Sequence, residues 1–175
     1  MLTKILVIGI AGRMGKTIAE CIEGTEGVQL GGGTEFAGSS FIGQDIGEVA
    51  GLGKKGISIV NDPSIAIETC DVAIDFTTPD SSMLTLNAAL KSGKPLVIGT
   101  TGFSTDQKKE ITEIGKKSRL VIAPNMSIGV NVLFKLVAEA SRVLGDDYDV
   151  EIIEAHHKFK KDAPSGTAVR ISEIV

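Results

Sequence analysis

The stretch from Glu154 to Ala168, EAHHKFKKDAPSGTA, gathers the residues best suited to acid–base chemistry. It holds both histidines of the chain, His156 and His157, and three lysines, Lys158, Lys160 and Lys161. Imidazole titrates near neutral pH, with a reference pKa of about 6.5, so it can donate a proton or hold an anion. Lys160 adds fixed positive potential. Ser165, Gly166 and Thr167 are expected to open a helix, whose first N–H groups favour a carboxylate or phosphate. Together these residues predict a site for a small, multiply anionic substrate. The competing explanation is a solvated basic loop followed by a plain N-cap, and it is the one adopted for Lys158 and Lys161. No metal site is expected, because no further His or Cys lies near the pair in sequence.

A second motif, GIAGRMG, carries Gly9, Gly12 and Gly15. It follows an apolar run and opens a helical pattern, the context of a dinucleotide-binding turn. Ala11 replaces the usual middle glycine. Glu35, about twenty residues past Gly15 at the end of the next apolar run, is placed to accept hydrogen bonds from ribose hydroxyls. The alternative is a tight strand–helix turn with no ligand. Three further turns, DFTTP (75–79), GTTGF (99–103) and APNMS (123–127), follow predicted strands. Ligands of open α/β sheets bind outside such carboxyl ends, although each turn could also be only a capped loop.

The elements that must position these residues alternate. KILVIG (4–9) is a strand-length apolar run, and MGKTIAECIEG (14–24) has helical spacing. VQLGGGTE (28–35) reads as a glycine-weakened strand. Residues 36–62 read mostly as a surface loop, with ISIV (57–60) as a short strand. Then follow a short helix (63–70), a strand (71–77), a helix (79–93), a strand (95–101), a helix (104–118) and a strand (120–124). Residues 127–145 form a long amphipathic helix with Val132, Leu133, Leu136, Val137, Ala140 and Leu144 on one face. DVEIIEAH (149–156) reads as a strand, which would aim the adjacent histidines in opposite directions. A last helix starts near Ser165. This order predicts a Rossmann-like, doubly wound parallel sheet, here residues 1–125. Residues 126–175 are expected to begin a smaller α+β domain. ISEIV carries no helix stop signal, so the sequence is expected to be a piece of a longer protein.

Apolar residues make up 42% of the 175, but aromatics only 4%, so the core must be built from Val, Ile, Leu and Ala, as suits a parallel sheet covered by helices. A net charge of −4 argues against general nucleic-acid binding. The N-terminal apolar run is too short to span a membrane, and no membrane association is expected. Cys21 and Cys70 lie in no CxxC spacing and read as reduced thiols of a cytoplasmic protein. Neither falls in the cleft, which argues against a semialdehyde dehydrogenase with a cysteine nucleophile.

GIAGRMG, DFTTP, GTTGF, APNMSIGVN and EAHHKFKKDAPSGTA, in this order and at these spacings, resemble the 4-hydroxy-tetrahydrodipicolinate reductase family over essentially the whole chain. The resemblance implies NADH- or NADPH-dependent reduction of a cyclic dicarboxylate with loss of water, on the diaminopimelate route to lysine, by a homotetramer. It implies that His156 and Lys160 are the catalytic proton-transfer groups. His157, Ser165, Gly166 and Thr167 would hold substrate carboxylate. Gly9, Ile10, Ala11, Gly12, Arg13 and Met14 would line the pyrophosphate, and Glu35 the ribose. Gly99, Thr100 and Thr101, with Ala123, Pro124, Asn125 and Met126, would line the nicotinamide side. Where the family often has Arg after the ribose acid, to meet the 2′-phosphate of NADP, this chain has Phe36; Arg13 and Lys16 are the cations left nearby. An alternative from another class is a non-catalytic NAD(P)-binding regulatory module, against which the tight His-His-Lys-x-Lys cluster argues.

Overall fold

The computed structural model describes residues 1–158 and 163–175. They divide into two compact units, Met1–Ile122 and Ala123–Val175.

The first unit is built on a five-stranded parallel sheet of order β2-β1-β3-β4-β5. Its strands are β1 Thr3–Ile8, β2 Val28–Thr34, β3 Val72–Asp75, β4 Leu96–Ile98 and β5 Leu120–Ile122. Helices α1 Arg13–Glu23, α2 Ile46–Ala50, α3 Pro63–Ala66, α4 Pro79–Ser92 and α5 Thr105–Gly115 join them. β1 explains why its sequence is continuously apolar rather than alternating. Leu6 and Ile8 pack into one core with Ala73, Leu86, Leu96 and Ile98, while Ile5 and Val7 pack into a second with Ile10, Ala19, Ile22 and Leu30. Both faces of the strand are therefore buried, as in other helix-covered parallel sheets. Between β1 and β2 the register slips, so that Ile5 pairs with Leu30 and Leu6 with Gly32. Gly31 is the extra residue, and a side chain there would meet Lys4 and Cys70.

A parallel bridge joins Thr34 to Val60 on the outer side of β2. Counting that bridge as a vestigial strand gives the strand order of dinucleotide-binding folds, with the switch point between β1 and β3.

Residues 36–62 differ from the expected surface loop. Ile46 and Ile59 are fully buried core residues, and ISIV makes only isolated bridges instead of a strand. Asp45 organises the segment. Its Oδ1 accepts from the N–H groups of Gly47, Glu48 and Lys55, and its Oδ2 from those of Gly56 and Ile57. The bond from Lys55, with those from Glu48, Gly47 and Gly56, lowers the Asp45 pKa from 3.8 to about 2. Because the folded value lies below the ordinary one, the carboxylate's contribution is complete above about pH 4 and disappears as pH falls through about 2. Acid unfolding of the first unit should therefore steepen in that window. In Asp45→Asn that step should vanish, as read by circular dichroism along an acid titration.

The second unit holds α6 Ile128–Leu144, a short 3-10 turn Gly145–Asp147 and α7 Gly166–Ile174. α6 has the predicted length, but none of its residues is buried. The strand expected at 149–156 does not form, and these residues carry no ladder hydrogen bonds in the structure. A strand exists only through its partners, and no described residues pair with this segment. No helix of the described residues is long and apolar enough to cross a membrane.

Candidate functional site

A cavity of about 730 Å³ opens at the β1/β3 switch point of the first unit. Its walls come from the Gly9–Gly15 turn, from Glu35 to Phe41 after β2, and from Phe76 to Ser81 after β3. Gly9 takes a φ of +70°, and a Cβ there would lie 2.6 Å from the Thr77 Cγ2. Gly15 lets α1 approach the strand end: its Cβ would stand 2.1 Å from the Gly9 carbonyl oxygen. The backbone at the mouth of the turn is thus bare because side chains cannot fit there.

Among the described residues, α1 and α4 are the only α-helices that begin without a side-chain cap. Both begin on this cavity. α1 also has no acidic residue in its first turn, and its first residue is the exposed Arg13. An uncapped helix start with a cation beside it fits an anion such as a diphosphate. At α4, Asp80 is engaged by the Gln107 amide, while Thr78 and Ser81 face the cavity. Glu35 is half-buried, and its Oε1 accepts from the Ala11 N–H at 2.8 Å. One carboxylate therefore fixes the turn and stands on the cavity wall. Phe36 is 70% exposed at the rim, with Phe41 and Phe76 as further aromatic walls.

The predicted nucleotide residues do not all reach this cavity. Gly9, Ala11, Gly12, Arg13, Met14 and Glu35 line it. Ile10 sends its side chain into the core, and its N–H donates to the Thr34 carbonyl. Gly99, Thr100 and Thr101 are not part of the lining. Thr100 is buried with its hydroxyl 2.7 Å from that of Ser82. Gly99 supports the wall indirectly, because a Cβ there would meet the Phe76 ring at 2.0 Å.

Asp75, quoted above only as the first residue of a turn, underlies Thr77. It is wholly buried, and its Oδ1 accepts from the Thr77 N–H at 2.9 Å and the Thr77 hydroxyl at 2.6 Å. Its Oδ2 has no partner among the described residues.

In the second unit Ser165, Gly166 and Thr167 form the start of α7, and Glu154 ties His156 to it. The Ser165 hydroxyl caps α7 by accepting from the Ala168 N–H, and the Ser165 N–H donates to Glu154 Oε1 at 2.9 Å. The other Glu154 oxygen lies 2.9 Å from His156 Nε2. The Ser165 and His156 contacts lower the Glu154 pKa from 4.5 to about 2, so the group is a carboxylate at neutral pH. Asn125 donates to the Thr167 hydroxyl, and the Asn131 amide holds the carbonyls of Asn125 and Ser127. His157 and Gly166 lie in the same segments, His157 exposed and Gly166 half-buried. Ala123, Pro124 and Met126 belong to this second unit, not to the one with the glycine turn. Lys160 and Lys161 lie outside the described residues. Glu154 and Asn131 are the functional candidates that sequence reasoning missed. The signal for Glu154 was an acid two residues before a histidine.

Comparison with known proteins gives two family models end to end: dihydrodipicolinate reductase, N-terminus, over residues 3–126, and dihydrodipicolinate reductase, C-terminus, over 129–175. The 4-hydroxy-tetrahydrodipicolinate reductases of Hahella chejuensis and Geotalea uraniireducens are each 49% identical over 174 residues. Those alignments take in 99% of this chain and 65% of each relative, so the chain spans about two thirds of the relatives' length. A solved structure, dipicolinate-bound dihydrodipicolinate reductase from Paenisporosarcina sp. TG-14, matches with a TM-score of 0.74 at 26% identity. It is matched over 99% of this chain and 65% of that one.

Proposed function

The chain belongs to the dihydrodipicolinate reductase family, and from that premise we propose that it serves NADH- or NADPH-dependent reduction of 4-hydroxy-tetrahydrodipicolinate to tetrahydrodipicolinate, with loss of water. The observation that carries this reading is the uncapped start of α1, with Arg13 beside it and Glu35 across the same cavity. These residues fit a dinucleotide: the α1 N–H groups would hold the diphosphate and Glu35 the ribose. The bound cofactor would supply a hydride to the substrate ring. The chain's own residues do the rest. Exposed His156 and the family-matched Lys160 would transfer protons. His157, Ser165, Gly166 and Thr167 would orient carboxylates, with Thr167 braced by Asn125. The dipicolinate in the Paenisporosarcina structure is a cyclic dicarboxylate of the kind this reading requires.

The two units divide the labour, with nucleotide binding in the first and substrate contacts in the second. A place in lysine and diaminopimelate biosynthesis, a cytoplasmic location, homotetrameric assembly and no role in nucleic-acid or membrane binding belong to the same proposal. The test is NADH oxidation that depends on freshly made cyclic substrate. Cofactor binding with no substrate-dependent oxidation would favour a regulatory module instead.

Cofactor choice follows from Phe36. Phe36, exposed at the cavity rim, falls where the family often has the Arg that meets a 2′-phosphate, while Glu35 on the same wall would still bind ribose. NADH should therefore bind at least as tightly as NADPH. Titration of both checks this, and a preference for NADPH of about tenfold, or ~1.4 kcal/mol, would contradict it.

A further inference from the structure

His156 is held by a residue that neither the motif nor the family match assigns. The Glu154 side chain lies between two partners, His156 Nε2 and the Ser165 N–H, each at 2.9 Å. An ionised carboxylate can only accept hydrogen bonds. The nitrogen facing it must therefore carry the proton, whether the imidazole is neutral or charged. Ser165 is 6% exposed and caps α7 with its own hydroxyl, so its N–H is a fixed anchor. Glu154 is thereby pinned on one oxygen and presents the other to the ring.

We infer that Glu154 is a positioning residue that selects the Nε2–H tautomer of His156, leaves Nδ1 as the nitrogen available for proton transfer, and ties that ring to the N-terminus of α7. The functional importance of Nδ1 rests on the reductase reading; the tautomer itself does not. In an imidazole the proton sits on the nitrogen whose hydrogen bond requires it. Neutral imidazole with Nδ1 unprotonated accepts a proton there, and imidazolium gives it back through the same atom. The Nε2–H bond to Glu154 persists through both states. The same carboxylate links the ring to Ser165, so the proton-transfer group and the proposed carboxylate-binding turn keep a fixed spacing.

The variant that separates the tautomer from the anchor is Glu154→Gln. Its amide oxygen can still accept from the Ser165 N–H, but its NH₂ must donate to the ring. Nε2 then becomes the acceptor and the proton moves to Nδ1. The experiment is nitrogen NMR of the 175-residue chain at a pH of about 8.5, where an ordinary imidazole is neutral. The His156 signals are assigned by their loss in His156→Gln. The wild type should show a pyrrole-like Nε2 and a pyridine-like Nδ1, with the Nε2–H form in roughly tenfold excess, as a charge-assisted bond provides. Glu154→Gln should reverse the pattern. A tautomer mixture like that of free histidine in the wild type, or an unchanged pattern in Glu154→Gln, would overturn the proposal. Substrate-dependent NADH oxidation by the wild type is scored separately. Its absence beside the expected NMR pattern would strike at the reductase reading and leave the tautomer assignment standing.

Discussion

Replacing His156 by alanine is expected to lower turnover by roughly 10²–10⁴-fold, the usual contribution of a general acid or base, and to leave NADH affinity unchanged. The reason is topological. His156 belongs to the second unit, with Glu154 and Ser165, whereas the residues fitted to the dinucleotide line a cavity of the first. Truncating the ring removes the proposed proton-transfer group and nothing from the glycine turn. Lys160→Ala should behave alike, on the strength of its family-matched position. Single-turnover kinetics together with NADH titration separate the two effects. A variant that loses NADH affinity but turns over normally at saturation would reverse the role assigned to either residue.

Gly15→Ala should damage the first unit and its cavity together. The added methyl would sit 2.1 Å from the Gly9 carbonyl oxygen and 2.8 Å from the Ile10 Cα. Both obstacles are backbone, so no side-chain rotation relieves them. Either α1 moves away from β1 or the turn deforms. Overpacking against backbone of this kind costs roughly 3 kcal/mol. The displaced helix start would also carry away the N–H groups proposed to bind the diphosphate, so NADH affinity should fall by at least about 10²-fold. Gly27→Ala is the control. Nothing lies within 4 Å of its Cβ, and only its φ of +84° opposes a side chain, at about 1 kcal/mol. Denaturant unfolding and NADH titration of the two variants check the contrast. Equal stability losses would mean that the close approach at Gly15 is not the constraint.

Features coded by local pattern were legible without coordinates. The run at 4–9 announced a strand, which the structure buries on both faces, and GIAGRMG announced the turn whose glycines the structure requires at positions 9 and 15. Glu35 was found by its distance along the chain, and it stands on the cavity wall. What escaped were roles assigned by partners far away in sequence. Asp45 looks like any loop acid until Lys55, Gly56 and Ile57 fold back to donate to it. Thr100 reads as a residue open to a cofactor, yet its hydroxyl lies buried against that of Ser82 from α4. The apolar residues of 149–156 satisfy a strand reading, yet a pattern cannot supply the neighbouring strand. Glu154 went unnoticed because its meaning lies in Ser165, eleven residues on.

If the cavity at the Gly9–Gly15 turn and the histidine segment serve one reduction, hydride from the nicotinamide must end in the product, which isotope transfer reads. NADH deuterated at the reactive nicotinamide carbon is mixed with the protein and freshly made 4-hydroxy-tetrahydrodipicolinate, and the product is analysed by mass spectrometry. One deuterium is expected in tetrahydrodipicolinate for each NADH consumed, with transfer strongly reduced in His156→Ala. NADH binding with no deuterium in the product, or transfer unaffected by His156→Ala, would contradict it.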